Sequence, residues 1–217
     1  MILYSNGCSH TYGHCVGIEN SYPSLVMKIK CDTFYSHTSN TEQFKIENIK
    51  HHDNILINES RCGAGNDYIF HKSLESINKL IIHNKKPSYV IIQWSGPNRR
   101  LHCDFDGNYL NVNNFDNVEY FVKFEPMGSE HTLHYMFSLQ EYLKNNDIRY
   151  SYINYFSLDE SIKNLSIYNE IDFGFGNEIL TKGILDYIKN KKLSCDELGH
   201  PNEEGYEHIT NEILKRL

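Results

Sequence analysis

Short unbroken apolar runs alternate along this chain with longer stretches in which apolar residues recur every three or four positions. The runs read as strands: Met1–Ser5, Asn54–Asn58, Tyr89–Trp94 and Arg149–Asn154. Tyr89-Val90-Ile91-Ile92-Gln93-Trp94 is almost continuously apolar, as expected of a parallel strand covered on both faces. Between the runs, Ser21-Tyr22-Pro23 reads as a helix start leading into Leu25-Val26-Met27, with proline tolerated in the first turn. After Gly63-Ala64-Gly65-Asn66-Asp67, the residues Tyr68, Ile69, Leu74, Ile77, Leu80 and Ile81 keep helical spacing until Pro87-Ser88 stops them. Further helices are expected from about Glu130 to Asn145, from about Glu178 to Lys189, and from Glu203 to Leu217, where Ile209, Ile213 and Leu214 share a face. Residues 101–128 carry Asn, Asp and Gly without a clear period and read as an insertion or lid. Strand–helix alternation of this kind predicts a parallel sheet with helices on both sides, and no internal repeat interrupts it.

With 217 residues, 40% of them hydrophobic, the chain can bury one α/β core, so residues 1–217 are expected to form a single domain. A net charge of -7 argues against a nucleic-acid or membrane-surface binder, because both need basic fields. The six cysteines show no C-x-x-C pair or disulfide-framework spacing. No signal peptide and no bilayer-spanning run is evident, and the expectation is a reduced, cytoplasmic protein. Abundant Asn, Ile, Lys and Tyr, whose codons are AT-rich, hint at a low-GC microbe or its virus, with a virion-associated location as the alternative.

Two segments at opposite ends of the chain carry complementary chemistry. Asn6-Gly7-Cys8-Ser9-His10-Thr11 follows the first strand and presents Ser9 at its carboxyl end, the usual address of sites in open α/β sheets. Asp196-Glu197-Leu198-Gly199-His200-Pro201-Asn202 supplies a histidine preceded by two carboxylates. A serine hydroxyl is a poor nucleophile until a base takes its proton and a third group orients that base. Other readings of the same residues are a serine that merely turns the chain and a histidine on a surface loop.

With the middle segments Asn58-Glu59-Ser60-Arg61-Cys62-Gly63-Ala64-Gly65-Asn66 and Gln93-Trp94-Ser95-Gly96-Pro97-Asn98-Arg99, the chain resembles the SGNH (GDSL-like) hydrolase superfamily. That resemblance implies a flavodoxin-like three-layer α/β/α sandwich. It implies Ser9 as nucleophile, its own amide facing the developing oxyanion, and Gly63 as a second backbone donor, with Gly65 close behind as a candidate. Asn98 would be the third donor, or Ser95 if the strand ends one residue earlier. His200 would be the general base and acid. Its carboxylate partner is Asp196 by residue type and Glu197 by the family's Asp-x-x-His spacing. Cys8 stands where the family has Asp in Gly-Asp-Ser, and Arg99 where it has Asp in Gly-x-Asn-Asp.

The expected activity is hydrolysis of a carboxylic ester, with a small-molecule or glycan ester as substrate and no metal or organic cofactor. A small acyl group such as acetyl on a carbohydrate fits the aromatic residues Phe105, Tyr109, Phe115, Tyr120, Phe121 and Phe124 of the 101–128 segment, although aromatics equally suit a core. A non-catalytic binding or structural module and an O-acyltransferase using the same acyl-enzyme are the alternatives. His10 is expected beside the nucleophile turn or lining the pocket. Its spacing to His14, like that of His131 to His134, would suit a metal on a helix, but no nearby carboxylate or cysteine completes a set in sequence. Arg99 or Arg100 would serve an acidic substrate group or a surface salt bridge.

Overall fold

The computed structural model describes residues 1–38, 44–97, 99–103, 109–112, 118–155, 163–172, 183–197 and 199–217, and for 100–103, 109–112 and 118–127 the backbone alone. Five parallel strands form the central sheet in the order β2-β3-β1-β4-β7: β1 (Ile2–Asn6), β2 (Tyr35–Thr38), β3 (Ile55–Asn58), β4 (Tyr89–Trp94) and β7 (Arg149–Asn154). Alternate side chains along each strand feed two separate cores. Leu3, Leu56, Ile91 and Ile153 point to one face, against α2 (Tyr22–Lys30), α6 (Ile184–Lys191) and α7 (Glu203–Leu214). Tyr4, Ile57, Ile92 and Tyr152 point to the other, against α3 (Asn66–Ile82) and α4 (Val118–Asn145). Burial on both faces is why β3 and β4 contain scarcely a solvent-facing position.

The order of the strands creates the site. From β1 the chain builds β2 and β3 on one side, then crosses to β4 on the other, and β1 pairs with both β3 and β4. The carboxyl ends of β1 and β4 therefore flank the point where the winding reverses, and the loops leaving them diverge around a crevice. Both carboxyl-end loops that matter start here, after Asn6 and after Trp94.

Several boundaries differ from the sequence expectation. The 101–128 segment is not devoid of regular structure: β5 (Arg100–Cys103) and β6 (Tyr109–Val112) pair antiparallel, and α4 starts at Val118 rather than near Glu130. The side chains of the proposed lid lie outside the described residues. The helix expected over Glu178–Lys189 is α6, which starts later, at Ile184, and positions 178–182 lie outside the description. The edge strand β2 and the short α5 (Ser166–Glu170) are among the elements without a sequence signal. Among the described residues, no helix is long and apolar enough to cross a membrane.

Candidate active site

The turn after β1, which carries Ser9, is built on crowding. A Cβ on Gly7 would lie 2.8 Å from the Gln93 Cβ and closer still to Thr11 Oγ1, so only glycine lets β1 pass this tightly beside β4. Asn6, fully buried, braces the approach: its Nδ2 donates to the Ile69 carbonyl at 3.1 Å and to Ser73 Oγ at 3.0 Å, and its Oδ1 accepts the Gly7 amide at 2.8 Å. A single helical turn, α1 (Ser9–Tyr12), then begins at Ser9 itself. Cys8 is buried with its sulfur 3.1 Å from the donating Gln93 Nε2, while Gln93 Oε1 accepts from Thr11 Oγ1 at 2.8 Å. The buried Cys8 sulfur thus has a hydrogen-bonding partner in the Gln93 amide.

The other half of the site is the loop between α6 and α7. Cys195 and Pro201 form an isolated antiparallel bridge that closes it. Inside, the Asp196 amide donates to the His200 carbonyl at 2.9 Å, and the Gly199 amide donates to the Asp196 carbonyl at 3.0 Å. Gly199 sits at φ +82°, a left-handed conformation that costs glycine nothing, and a Cβ there would come within 2.6 Å of Leu185 Cδ2. Asn202 ends the loop as the N-cap of α7, its Oδ1 accepting the Gly205 amide at 3.0 Å.

These two pieces meet. Ser9 Oγ lies 2.8 Å from His200 Nε2, and His200 Nδ1 lies 2.9 Å from Asp196 Oδ2. A carboxylate can only accept, so Nδ1 carries the proton and Nε2 is left as the acceptor of the Ser9 hydroxyl. Asp196 Oδ1 also takes the His200 backbone amide at 2.7 Å. Ser9 and His200 are buried, at 8% and 6% exposure, whereas Asp196 is partly open to solvent. Burial lowers the pKa of His200, against the pull of the Asp196 hydrogen bond, and the neighbouring His10 and His14 rings add to the lowering. Burial alone would raise the Asp196 pKa, but the Cys15 thiol, the His200 amide and the His200 ring together hold it well below the usual carboxylate range. The His200–Asp196 pair is therefore neutral imidazole on ionised aspartate at neutral pH.

Of the two candidate carboxylates, Asp196 faces the ring and Glu197 is exposed on the turn. Gly199, at φ +82°, turns the chain between Asp196 and His200. Gly63, at φ +77°, stands in the β3–α3 loop, which is tied to the Ser9 turn by the Arg61 amide donating to the Gly7 carbonyl at 3.0 Å. Gly65 is the N-cap of α3. Ser95 is buried at the end of β4, and its hydroxyl accepts from Arg99 Nη1 at 3.4 Å. Asn98 lies outside the described residues. His10 is buried against the site: its ring centroid is 4.6 Å from that of His200, and its Nε2 is 3.1 Å from the Gly199 carbonyl, to which it donates. Burial drives its pKa down to about 4, so it stays neutral.

Several participants carried no sequence signal. Asn66 is buried and gathers the third block: its Oδ1 accepts the Ser95 amide at 2.7 Å, and its Nδ2 donates to the Ser95 carbonyl at 3.2 Å and to Thr132 Oγ1 at 2.9 Å. Cys15, at φ +75°, donates its thiol to Asp196 Oδ2 at 3.0 Å across 181 positions of sequence. Arg99 lies over the Tyr155 ring, 5.6 Å from its centroid. His14 does not pair with His10 as a metal-binding couple; its ring packs against His200 at 4.7 Å. Beside His200 opens a cleft of about 400 Å³ lined by Cys15, Val16, Asp196, Pro201, Asn202 and Glu203.

No protein-family model matches the sequence, and no curated protein matches it either. Solved structures do match in shape. The psychrotrophic esterase EstA from Pseudoalteromonas sp., in a structure inhibited by monoethylphosphonate, superposes with a TM-score of 0.52 at 12% identity, over 99% of this chain and 95% of its own. TesA matches with a TM-score of 0.52 at 12% identity, over 100% of this chain and 98% of its own. The lipase Lip_vut3 from a goat rumen metagenome matches with a TM-score of 0.52 at 15% identity, over 100% and 97%. The parallel five-stranded sheet with its flanking helices is the SGNH-type α/β hydrolase fold.

Proposed function

We propose that the chain is a serine hydrolase of carboxylic esters, with Ser9 as nucleophile, His200 as general base and acid, and Asp196 as the group that orients His200. The observation that carries this reading is the continuous relay from Ser9 Oγ through both His200 nitrogens to Asp196 Oδ2, with steps of 2.8 and 2.9 Å. Ser9 Oγ attacks the acyl carbon while Nε2 takes its proton, and the acyl–alkoxy bond breaks as the imidazolium returns that proton to the leaving alcohol. Water, deprotonated by the same Nε2, then releases the acid and restores Ser9. Asp196, ionised and hydrogen-bonded to Nδ1, stabilises the imidazolium in between. By family resemblance the Ser9 and Gly63 amides and the Asn98 side chain hold the oxyanion, with Ser95 as the alternative to Asn98.

For the substrate, a small acyl group such as acetyl on a carbohydrate is preferred over a long acyl chain, on the aromatic residues of the 101–128 segment; the cleft beside His200 lies on its Asp196 side, lined by Cys15, Asn202 and Glu203. Hydrolysis of p-nitrophenyl acetate by the wild type and by folded Ser9→Ala and His200→Ala variants tests the reading. Turnover lost by about 10,000-fold in both variants supports it. Equal rates in all three proteins overturn it in favour of a binding module, and product formation that requires an added alcohol marks an acyltransferase.

A further inference from the structure

Donors from two distant segments converge at the mouth of the cleft. His14, Cys15 and His200 each offer a ligand atom, and these atoms all lie within 4.8 Å of one another. Cys62 adds another soft donor, its sulfur 3.9 Å from His14 Nδ1. The geometry has a local cause. The nucleophile helix ends at Gly13, and the chain then turns back over its own start, with the His14 amide donating to the Ser9 carbonyl at 3.0 Å. That reversal brings His14 and Cys15, both exposed, beside His200, the His14 ring 4.7 Å from its centroid and the Cys15 thiol 3.0 Å from Asp196 Oδ2.

Two imidazoles with one or two thiols form a donor set that suits zinc and other borderline-soft cations and does not suit magnesium or calcium. Zinc bonds of about 2.1 Å to nitrogen and 2.3 Å to sulfur put tetrahedral donors roughly 3.5 Å apart, so the cluster must contract by about an ångström. His14 and Cys15 can make that adjustment by side-chain rotation, because neither is packed in the core.

We infer that His14, Cys15 and His200, with Cys62 as fourth donor, form a binding site for Zn²⁺, and that its occupancy switches off the Ser9–His200 pair. On binding, the Cys15 thiol proton passes to solvent and the sulfur coordinates as thiolate. His200 commits a ring lone pair to the cation and can no longer accept the Ser9 proton. The switching half rests on the serine-hydrolase reading; the binding half does not.

Calorimetric titration of ZnCl₂ into reduced, chelator-free protein tests the binding half directly, with Co²⁺ as a spectroscopic substitute. One Zn²⁺ per chain is expected. His14→Ala and Cys15→Ser should each weaken binding by about tenfold or more, since loss even of an outer-shell partner costs that much, whereas His51→Ala, in the exposed stretch before β3, should not. The thiolate-to-cobalt charge-transfer absorption should vanish in Cys15→Ser. In the ester assay, saturating Zn²⁺ should lower wild-type turnover by about tenfold or more, and a chelator should restore it. Binding untouched by both His14→Ala and Cys15→Ser overturns the site. Binding with unchanged or increased turnover overturns the switch. A chain without turnover even in zinc-free buffer overturns the hydrolase reading and the switch with it, while calorimetry and the cobalt spectrum still decide the site.

Discussion

His200 meets Asp196 twice, through its ring Nδ1 at 2.9 Å from Oδ2 and through its backbone amide at 2.7 Å from Oδ1. One carboxylate thus sets the tautomer of the imidazole and the path of the loop that carries it. Asp196→Asn should keep the loop contact but present an amide N–H or a weaker acceptor to Nδ1. Turnover should fall by about 1,000- to 10,000-fold with little change in KM. Glu197→Gln should leave both within about twofold, because Glu197 is exposed on the turn. Steady-state kinetics on the two variants check the assignment, and a larger loss in Glu197→Gln would reverse it.

Burial lowers the pKa of His200 below its ordinary value of 6.5. Protonated His200 cannot take the Ser9 proton, so activity is lost as pH falls through the folded-state pKa. The acid limb of kcat/KM should therefore have its midpoint below pH 6.5, and turnover should stay near its plateau across neutral pH. A pH–rate profile with a midpoint above 7 would contradict the electrostatics described for the site.

His10 makes a separate statement about stability. Its folded pKa is about 4 against 6.5 for the free side chain, chiefly through burial. Above pH 6.5 it is neutral in both states; between 6.5 and 4 only the unfolded chain binds its proton, so folding loses free energy as pH falls through that window. The full loss is on the order of 3 kcal/mol. Urea titrations of wild type and His10→Gln at pH 7.5 and 4.5 should show a smaller pH-dependent drop in the variant, the difference isolating His10 from the carboxylates that titrate alongside it.

Asn66 should be as consequential for the fold as a core residue. Removing its side chain strands the buried Ser95 amide and the Ser95 carbonyl, and each unmet buried group costs about 1–3 kcal/mol. Asn66→Ala should destabilise the chain by roughly 2–4 kcal/mol, and Thr132→Val, which removes one partner only, by about 1 kcal/mol. Equilibrium denaturation measures both.

Strands β1, β3 and β4, inside the sheet, were legible because burial on both faces demands apolar runs, and the edge strand β7 was legible from Tyr150, Tyr152 and Ile153. The edge strand β2, Tyr35-Ser36-His37-Thr38, was not, because it is mostly polar and owes its conformation to pairing with β3. Pro126 and Gly128 argue for a helix start after them, yet the α4 backbone continues from Val118, tertiary context overriding local propensity. At the site, Ser9 and His200 stood out by residue type and flanking motif. The choice between Asp196 and Glu197 turned on a backbone conformation at Gly199 that spacing does not encode. The Cys15–Asp196 and Asn66–Ser95 contacts join loops remote in sequence, where no periodicity reaches.

The proposed hydrolysis depends on activation of the Ser9 hydroxyl by His200. Incubation with a fluorophosphonate, followed by intact mass and peptide mapping, tests it most directly, because phosphonylation needs the activated hydroxyl but no knowledge of the natural ester. One adduct is expected, on Ser9, formed by the wild type and suppressed by about 1,000-fold or more in rate in folded His200→Ala. An unmodified Ser9, or a Ser9 labelled equally fast without His200, would contradict it.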